Sequence, residues 1–264
     1  MWVDTLRDAT MAFVGPISNQ ALAFTVVSVM LAGFLRGFLG FGGALVIIMV
    51  LNVVLGPQVA VPIACLSGLP ATMQLLPQAM RACDRRFVVP FGLTSFAIAP
   101  VGTLLLVSIH PAVMKITISA FVLAMVVMLY RGWRLAQTSS LAATAAAGAV
   151  AGFIQGTAGV GGPPAVVAAL SFPGSAEKQR ANVIGAVTSL SLAPIIPLWL
   201  ADLFSWRIVV ASLMIIPIYS ATTWFGSQFF SQHGQQHYRN VTYLALTAMS
   251  VITLTIAIGD YVVY

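Results

Sequence analysis

GFLRGFLGFGG, from Gly33 to Gly43, recurs once in the chain as GFIQGTAGVGG, from Gly152 to Gly162. Gly33, Gly37, Gly40, Gly42 and Gly43 stand at the same internal spacing as Gly152, Gly156, Gly159, Gly161 and Gly162. The sequence around both copies is otherwise strongly apolar, so the match marks an internal repeat. Apolar residues make up 59% of the 264 positions and charged residues only 7%. The mean hydropathy of +0.99 lies far outside the range of soluble domains. The apolar runs are continuous rather than alternating, as in FVVPFGLTSFAIAPVGTLLLV from Phe87. That pattern predicts membrane-spanning helices and not a barrel.

Working outward from the two glycine stretches, charge clusters, prolines and glycines divide the chain into ten apolar segments. Repeat one, about 18–130, holds segments at 18–36, 43–56, 59–80, 87–109 and 112–130; repeat two, about 141–259, holds 141–157, 162–172, 181–200, 207–229 and 240–259. All belong to one transmembrane domain covering 1–264. The second segment of each set falls short of the roughly 20 residues a span requires, so each predicts a half-helix or re-entrant arm. Short, Gly- or Pro-interrupted segments at matching places in two halves point to the binding site of a transporter. The predicted fold class is an all-α polytopic membrane protein with two homologous, inverted repeats, each carrying a glycine-rich break followed by a short half-helix.

With so little chain outside the bilayer, the formal charge of +6 reads as a topology signal and not as a nucleic-acid surface. If each glycine stretch turns the chain back, Arg81, Arg85, Arg86, Arg131, Arg134, Lys178, Arg180 and Arg239 share one side, leaving Arg7, Lys115 and Arg207 on the other. If each stretch instead interrupts one continuous span, the charges separate less well. The first arrangement places the basic loops in the cytoplasm and both termini outside it, and inverts one repeat relative to the other. The N-terminal MWVDTLRDAT lacks a basic n-region, so the first segment is expected to remain uncleaved. Cys65 and Cys83 form neither a disulfide framework nor a metal spacing, and His110, His233 and His237 lie in loops without zinc spacing. No metal or cofactor is expected.

In hydrocarbon, non-helical backbone survives only where protein or a water-filled cavity surrounds it, so a GxGG break predicts a buried site. The first amides of the helix that follows lack partners and favour an anion. Pro163 and Pro164 suit a helix start, where a missing N–H costs nothing. Gly33 with Gly37, and Gly152 with Gly156, also make GxxxG spacings that serve close helix packing, and the two uses can coexist. Arg36 is the charged residue that stands inside the apolar part of the repeats. Its burial costs about 2.5–3.5 kcal/mol on insertion scales, and its planar fork matches an oxyanion. The alternative is that Arg36 ends its segment and snorkels to the surface. Gln155 stands in the equivalent place. The third segments are unusually polar and proline-broken, with Pro62, Ser67, Pro70, Thr72, Gln74 and Pro77 in the first half and Asn182, Thr188, Ser189, Ser191, Pro194 and Pro197 in the second. Such groups can line a pathway or rejoin backbone carbonyls at kinks. The candidate substrate-binding residues are therefore Arg36, Gly37, Gly40, Gly42, Gly43, Gln155, Gly156, Thr157, Gly159, Gly161, Gly162, Pro163, Ser67, Asn182 and Ser189.

The duplicated GxxxGxxGxGG, with its second copy running into Pro163-Pro164, in an apolar chain of this size, resembles the TauE/SafE sulfite exporter family of bacterial and archaeal membrane permeases. The resemblance extends from about Ala21 to the last segment. It implies secondary transport of a small sulfur-containing anion such as sulfite or an organosulfonate, usually export, across the cytoplasmic membrane. Joined to the residue reading, the expectation is alternating access about the paired glycine breaks, with a small anionic substrate and the lipid bilayer as partners. A passive anion channel is the alternative. The spans lack an evident catalytic carboxylate, histidine pair or Ser/His arrangement, so an enzyme is not expected. The oligomeric state is open.

Overall fold

The computed structural model describes residues 19–109, 113 and 140–230. The expected segments at 112–130 and 240–259, the N-terminal MWVDTLRDAT, the three histidines, and Arg7, Lys115, Arg131, Arg134 and Arg239 lie outside the described residues. Within them the chain is helical, with no strand. In the first half α1 covers Asn19–Leu39, α2 Gly43–Leu55, α3 Pro57–Ala82 and α4 Arg85–Ser108. In the second half α5 covers Leu141–Ala158, α6 Gly162–Ser171, α7 Ala176–Leu192, α8 Ile195–Leu200 and α9 Trp206–Phe229. Five helices among the described residues are long and apolar enough to cross a membrane: α3, α4, α5, the α7–α8 run and α9. α2 and α6, with 13 and 10 residues, are the short arms.

Each apolar segment on described residues thus forms a helix near its expected place, with one difference. The stretch 181–200 divides at Ala193-Pro194 into α7 and α8. Pro194 has no N–H to continue the ladder, and its ring crowds the carbonyl one turn back. Helix starts follow local chemistry: the Asp84 carboxylate accepts from the Arg86 amide at 3.0 Å, and the Ser175 hydroxyl accepts from the Lys178 amide at 3.3 Å. Both are N-caps of the ordinary kind.

The halves exchange partners. The first helix of each half packs along the helix of the other half's fourth apolar segment, α1 with α9 and α5 with α4, while α3 and α7 pack on each other. Small residues make the exchanged pairs close. Gly33 and Gly37 lie against Tyr219, Thr222 and Thr223, and Gly226 lies against Phe34. Gly148, Gly152 and Gly156 lie against Phe91, Ser95 and Ala99, and Gly102 against Phe153. A Cβ at Gly37 or Gly156 would collide with the carbonyl of Thr223 or Ala99. Both exchanged pairs are therefore parallel. α3 and α7 run antiparallel: Arg180 near the start of α7 reaches Gln78 near the end of α3 at 2.8 Å, and Cys65 near the start of α3 reaches the Ser191 carbonyl at 3.6 Å. α1 and α2 form a hairpin, with residues 25–29 beside residues 47–51.

These directions bring the α3–α4 turn and the start of α7 to one end of the bundle. There Lys178 Nζ bonds Asp84 Oδ2 at 2.9 Å, and the Asp84 amide donates to Asn182 Oδ1 at 2.7 Å. The hydrogen bond from Lys178 is the chief reason the Asp84 carboxyl is held below its usual pKa; partial burial opposes it, and the Arg86 amide and the nearby positive charges assist. Arg81, Arg85 and Arg86 flank the same turn, making this the cation-rich end. α9 runs with α1, whose last turn meets Arg180, so Arg207 at the start of α9 lies at the other end. Phe24, Leu93, Leu104, Trp224 and Phe225 are among the large side chains left facing outward, as lipid contact requires.

Candidate anion site

Each glycine stretch is a helix ending followed by a helix beginning. α1 ends at Leu39 with Gly40 at φ 88°, and α5 ends at Ala158 with Gly159 at φ 70°. The amide of each closes the last turn, Gly40 on the Arg36 carbonyl and Gly159 on the Gln155 carbonyl, both at 2.9 Å. Only a residue without a Cβ takes that left-handed position at little cost.

From the last turns, the equivalent residues Arg36 and Gln155 fold back over their own breaks with opposite hydrogen-bonding roles. Arg36, 4% exposed, donates through Nη1 to the Gly40 carbonyl at 3.0 Å and through Nη2 to Thr72 Oγ1 at 2.9 Å. Its guanidinium is thus held inside the protein rather than snorkelling to the surface. Gln155, 9% exposed, accepts through Oε1 from the Gly161 amide at 2.9 Å. Its carbonyl being committed, the Gln155 side chain has its NH2 group left to offer.

Between the breaks lies a cavity of about 40 Å³, lined by Arg36, Gln155, Gly42, Ala44, Gly159, Gly162 and Pro163 together with residues of α3, α7 and Tyr219 of α9. By the space one water needs, that volume holds roughly three water-sized groups. Arg36 is the charged residue on this wall, and no carboxylate is among its lining residues. Cys65 and Ser191 also line it.

The two half-helices contribute unequally. α2 opens after Gly42 without a side-chain cap, and its first intrahelical bond is that of the Val46 amide to the Gly42 carbonyl. The amides of Gly43, Ala44 and Leu45 therefore have no acceptor within the helix. In α6 the corresponding first bond is Ala165 to Gly161. Pro163 and Pro164 have no amide hydrogen, and the Gly161 amide is already taken by Gln155. Only Gly162 retains a donor there.

The remaining candidate residues stand elsewhere. Gly37 and Gly156 are helix contacts on α9 and α4, and Gly40 sits against Ile184. Gly43 is backed by the Tyr219 hydroxyl, and Gly161 by the Ala151 carbonyl. Thr157 bonds the Phe153 and Ile154 carbonyls at 2.9 and 3.2 Å, Ser67 the Ala64 carbonyl at 3.4 Å and Ser189 the Gly185 carbonyl at 3.2 Å. Asn182 serves the Asp84 turn. Sequence reasoning overlooked Tyr219, whose signal was a lone tyrosine inside an apolar span. It also counted Arg180 among the loop charges. Arg180 is 2% exposed and spans the two halves: Nε donates to the Phe38 carbonyl at 3.1 Å, Nη2 to the Gly37 carbonyl at 2.6 Å and Nη1 to Gln78 Oε1.

The sequence model of one protein family, described as "Sulfite exporter TauE/SafE", matches residues 25–253. The matched region contains both glycine breaks and every residue of the cavity wall. No curated protein and no solved structure matches the chain.

Proposed function

Because the chain belongs to the TauE/SafE sulfite exporter family, we propose that this multi-pass membrane protein exports a small sulfur-containing oxyanion, sulfite or a compact organosulfonate, by alternating access about its two glycine breaks. The observation that carries the reading is the cavity between the breaks, whose wall supplies donors and no carboxylate. Arg36 contributes a fixed positive charge, Gln155 its NH2, Tyr219 a hydroxyl, and α2 the amides of Ala44 and Leu45. An anion entering such a site replaces its water with groups already oriented towards it. The antiparallel packing of α3 and α7, equivalent helices of the two halves, supports the inverted-repeat reading, and inverted halves can rock against each other around a fixed site. The cation-rich end is the cytoplasmic one by the positive-inside rule, in the cytoplasmic membrane, with both termini outside. Outward movement of an anion as net charge is then favoured by an inside-negative potential.

Ligand-dependent thermal stabilisation of detergent-purified protein tests this, with sulfite, sulfate, thiosulfate, taurine, sulfoacetate and chloride compared. A sulfur oxyanion that binds the native state raises its apparent stability. Wild type is expected to respond to a sulfur oxyanion, and folded Arg36→Gln to lose that response. Equal responses of wild type and variant would remove Arg36 from the site.

A further inference from the structure

Alternating access requires a barrier on each side of the cavity, and the two ends of this bundle close by different chemistry. α3 and α7 begin at corresponding places in the repeats, Pro57 and Ala176, so Val61 and Arg180 are each the fifth residue of their helix. Val61 packs against Gly159 of the second break together with Ile48, an aliphatic contact. Arg180 packs against the end of α1, holding two of its last carbonyls at 2.6 and 3.1 Å and Gln78 of α3 at 2.8 Å. Its guanidinium carbon also lies 4.1 Å from the centre of the Phe230 ring. One side chain from repeat two thereby joins α1, α3 and the end of α9.

The position matters as much as the partners. The cavity is lined by α3 at Val61–Gly68, by α7 at Val187–Ser191 and by Pro194 just beyond it. Arg180 and Gln78 lie at the opposite ends of those same helices, between the cavity and the cation-rich end. The two carbonyls, the Gln78 amide and the Phe230 ring are neutral groups that water can replace once the helices part. A desolvated guanidinium is costly to leave without partners, so these contacts must be exchanged for water when the helices part.

We propose that Arg180 is the latch of the gate on the cation-rich side: its release frees the end of α1 from α3 and α7 and opens the cavity to that face, whereas the opposite face closes by aliphatic packing. This deepens the transport reading and rests on it, but its test requires no substrate. Cys65 on the cavity wall is the reporter, and Cys83, in the α3–α4 turn, marks the cation-rich face. Cys83 in the otherwise unmodified chain defines vesicle orientation. Labelling of Cys65 by a membrane-impermeant cationic methanethiosulfonate is then followed from each face in a Cys83→Ser background. In Arg180→Ala and in Gln78→Ala, labelling from the cation-rich face is expected to rise by about tenfold or more, the population shift that loss of charge-assisted hydrogen bonds produces. Labelling from the other face is expected to stay unchanged. Should Arg180→Ala fail to fold, Gln78→Ala decides alone. No rise, or an equal rise from both faces, overturns the latch. Absence of oxyanion binding by the wild type, with the one-sided rise intact in the variants, would overturn the substrate reading and leave the gate standing.

Discussion

Arg36 and Gln155 show how one position in a duplicated motif can divide its work. Both sit one turn before a left-handed glycine, and both reach back over the break. The arginine donates and the glutamine accepts, so only the first break acquires charge. Gln155→Glu separates the two uses of that side chain. A glutamate still accepts from the Gly161 amide, but it offers the cavity a negative oxygen in place of an NH2 group. The expected outcome is a variant that melts close to wild type yet loses oxyanion-induced stabilisation by at least about tenfold in apparent affinity, given the usual worth of a charged hydrogen bond. Unchanged affinity would show that the side chain serves the backbone only. The Arg36–Gln155 equivalence was legible from the sequence because the glycine spacing aligns the copies without ambiguity. Thr72, Tyr219 and Arg180 were not, because each arrives from a distant helix and its role depends on which faces meet. A buried arginine one turn inside a helix that opens AEKQR looks the same in sequence as a solvated one.

Among the elements, the breaks and short arms were legible because length and glycine spacing are local properties. The pairing of helices was not. The GxxxG spacings allowed both packing and site roles, and the structure gives Gly37 and Gly156 contacts on α9 and α4. Their backbones approach because neither carries a side chain, an interface of the small-residue kind used where lipid offers no hydrophobic drive to associate. Gly156→Leu is therefore expected to separate α5 from α4 and to destabilise the fold by about 1–3 kcal/mol, as overpacking does. Ala97→Leu, on the exposed side of α4, serves as the comparison and should melt close to wild type. Equal melting temperatures for the two would contradict the close contact. The division of 181–200 at Pro194 agrees with the proline-broken reading of that segment, whereas α3 runs as one helix through Pro62, Pro70 and Pro77.

At the scale of the molecule, the proposed inversion makes a geometric prediction that loop charges alone supported only as a tendency. α3 and α7 begin at opposite ends of the bundle, so Gln58→Cys and Glu177→Cys should be labelled from opposite faces of oriented vesicles, with Glu177→Cys on the face that exposes Cys83. Labelling of both from one face would require parallel repeats. The exchange of helices carries its own consequence. Because α1 packs on α9 and α5 on α4, each half leaves its first and fourth helices without their partners when the other is absent. Among the described residues, those pairs are completed only by the other half. The duplication thus joins in one chain what would otherwise be an obligate pair of subunits. Two fragments cut between α4 and α5 and made together in the same membrane are therefore expected to reassemble through the α1–α9 and α4–α5 contacts.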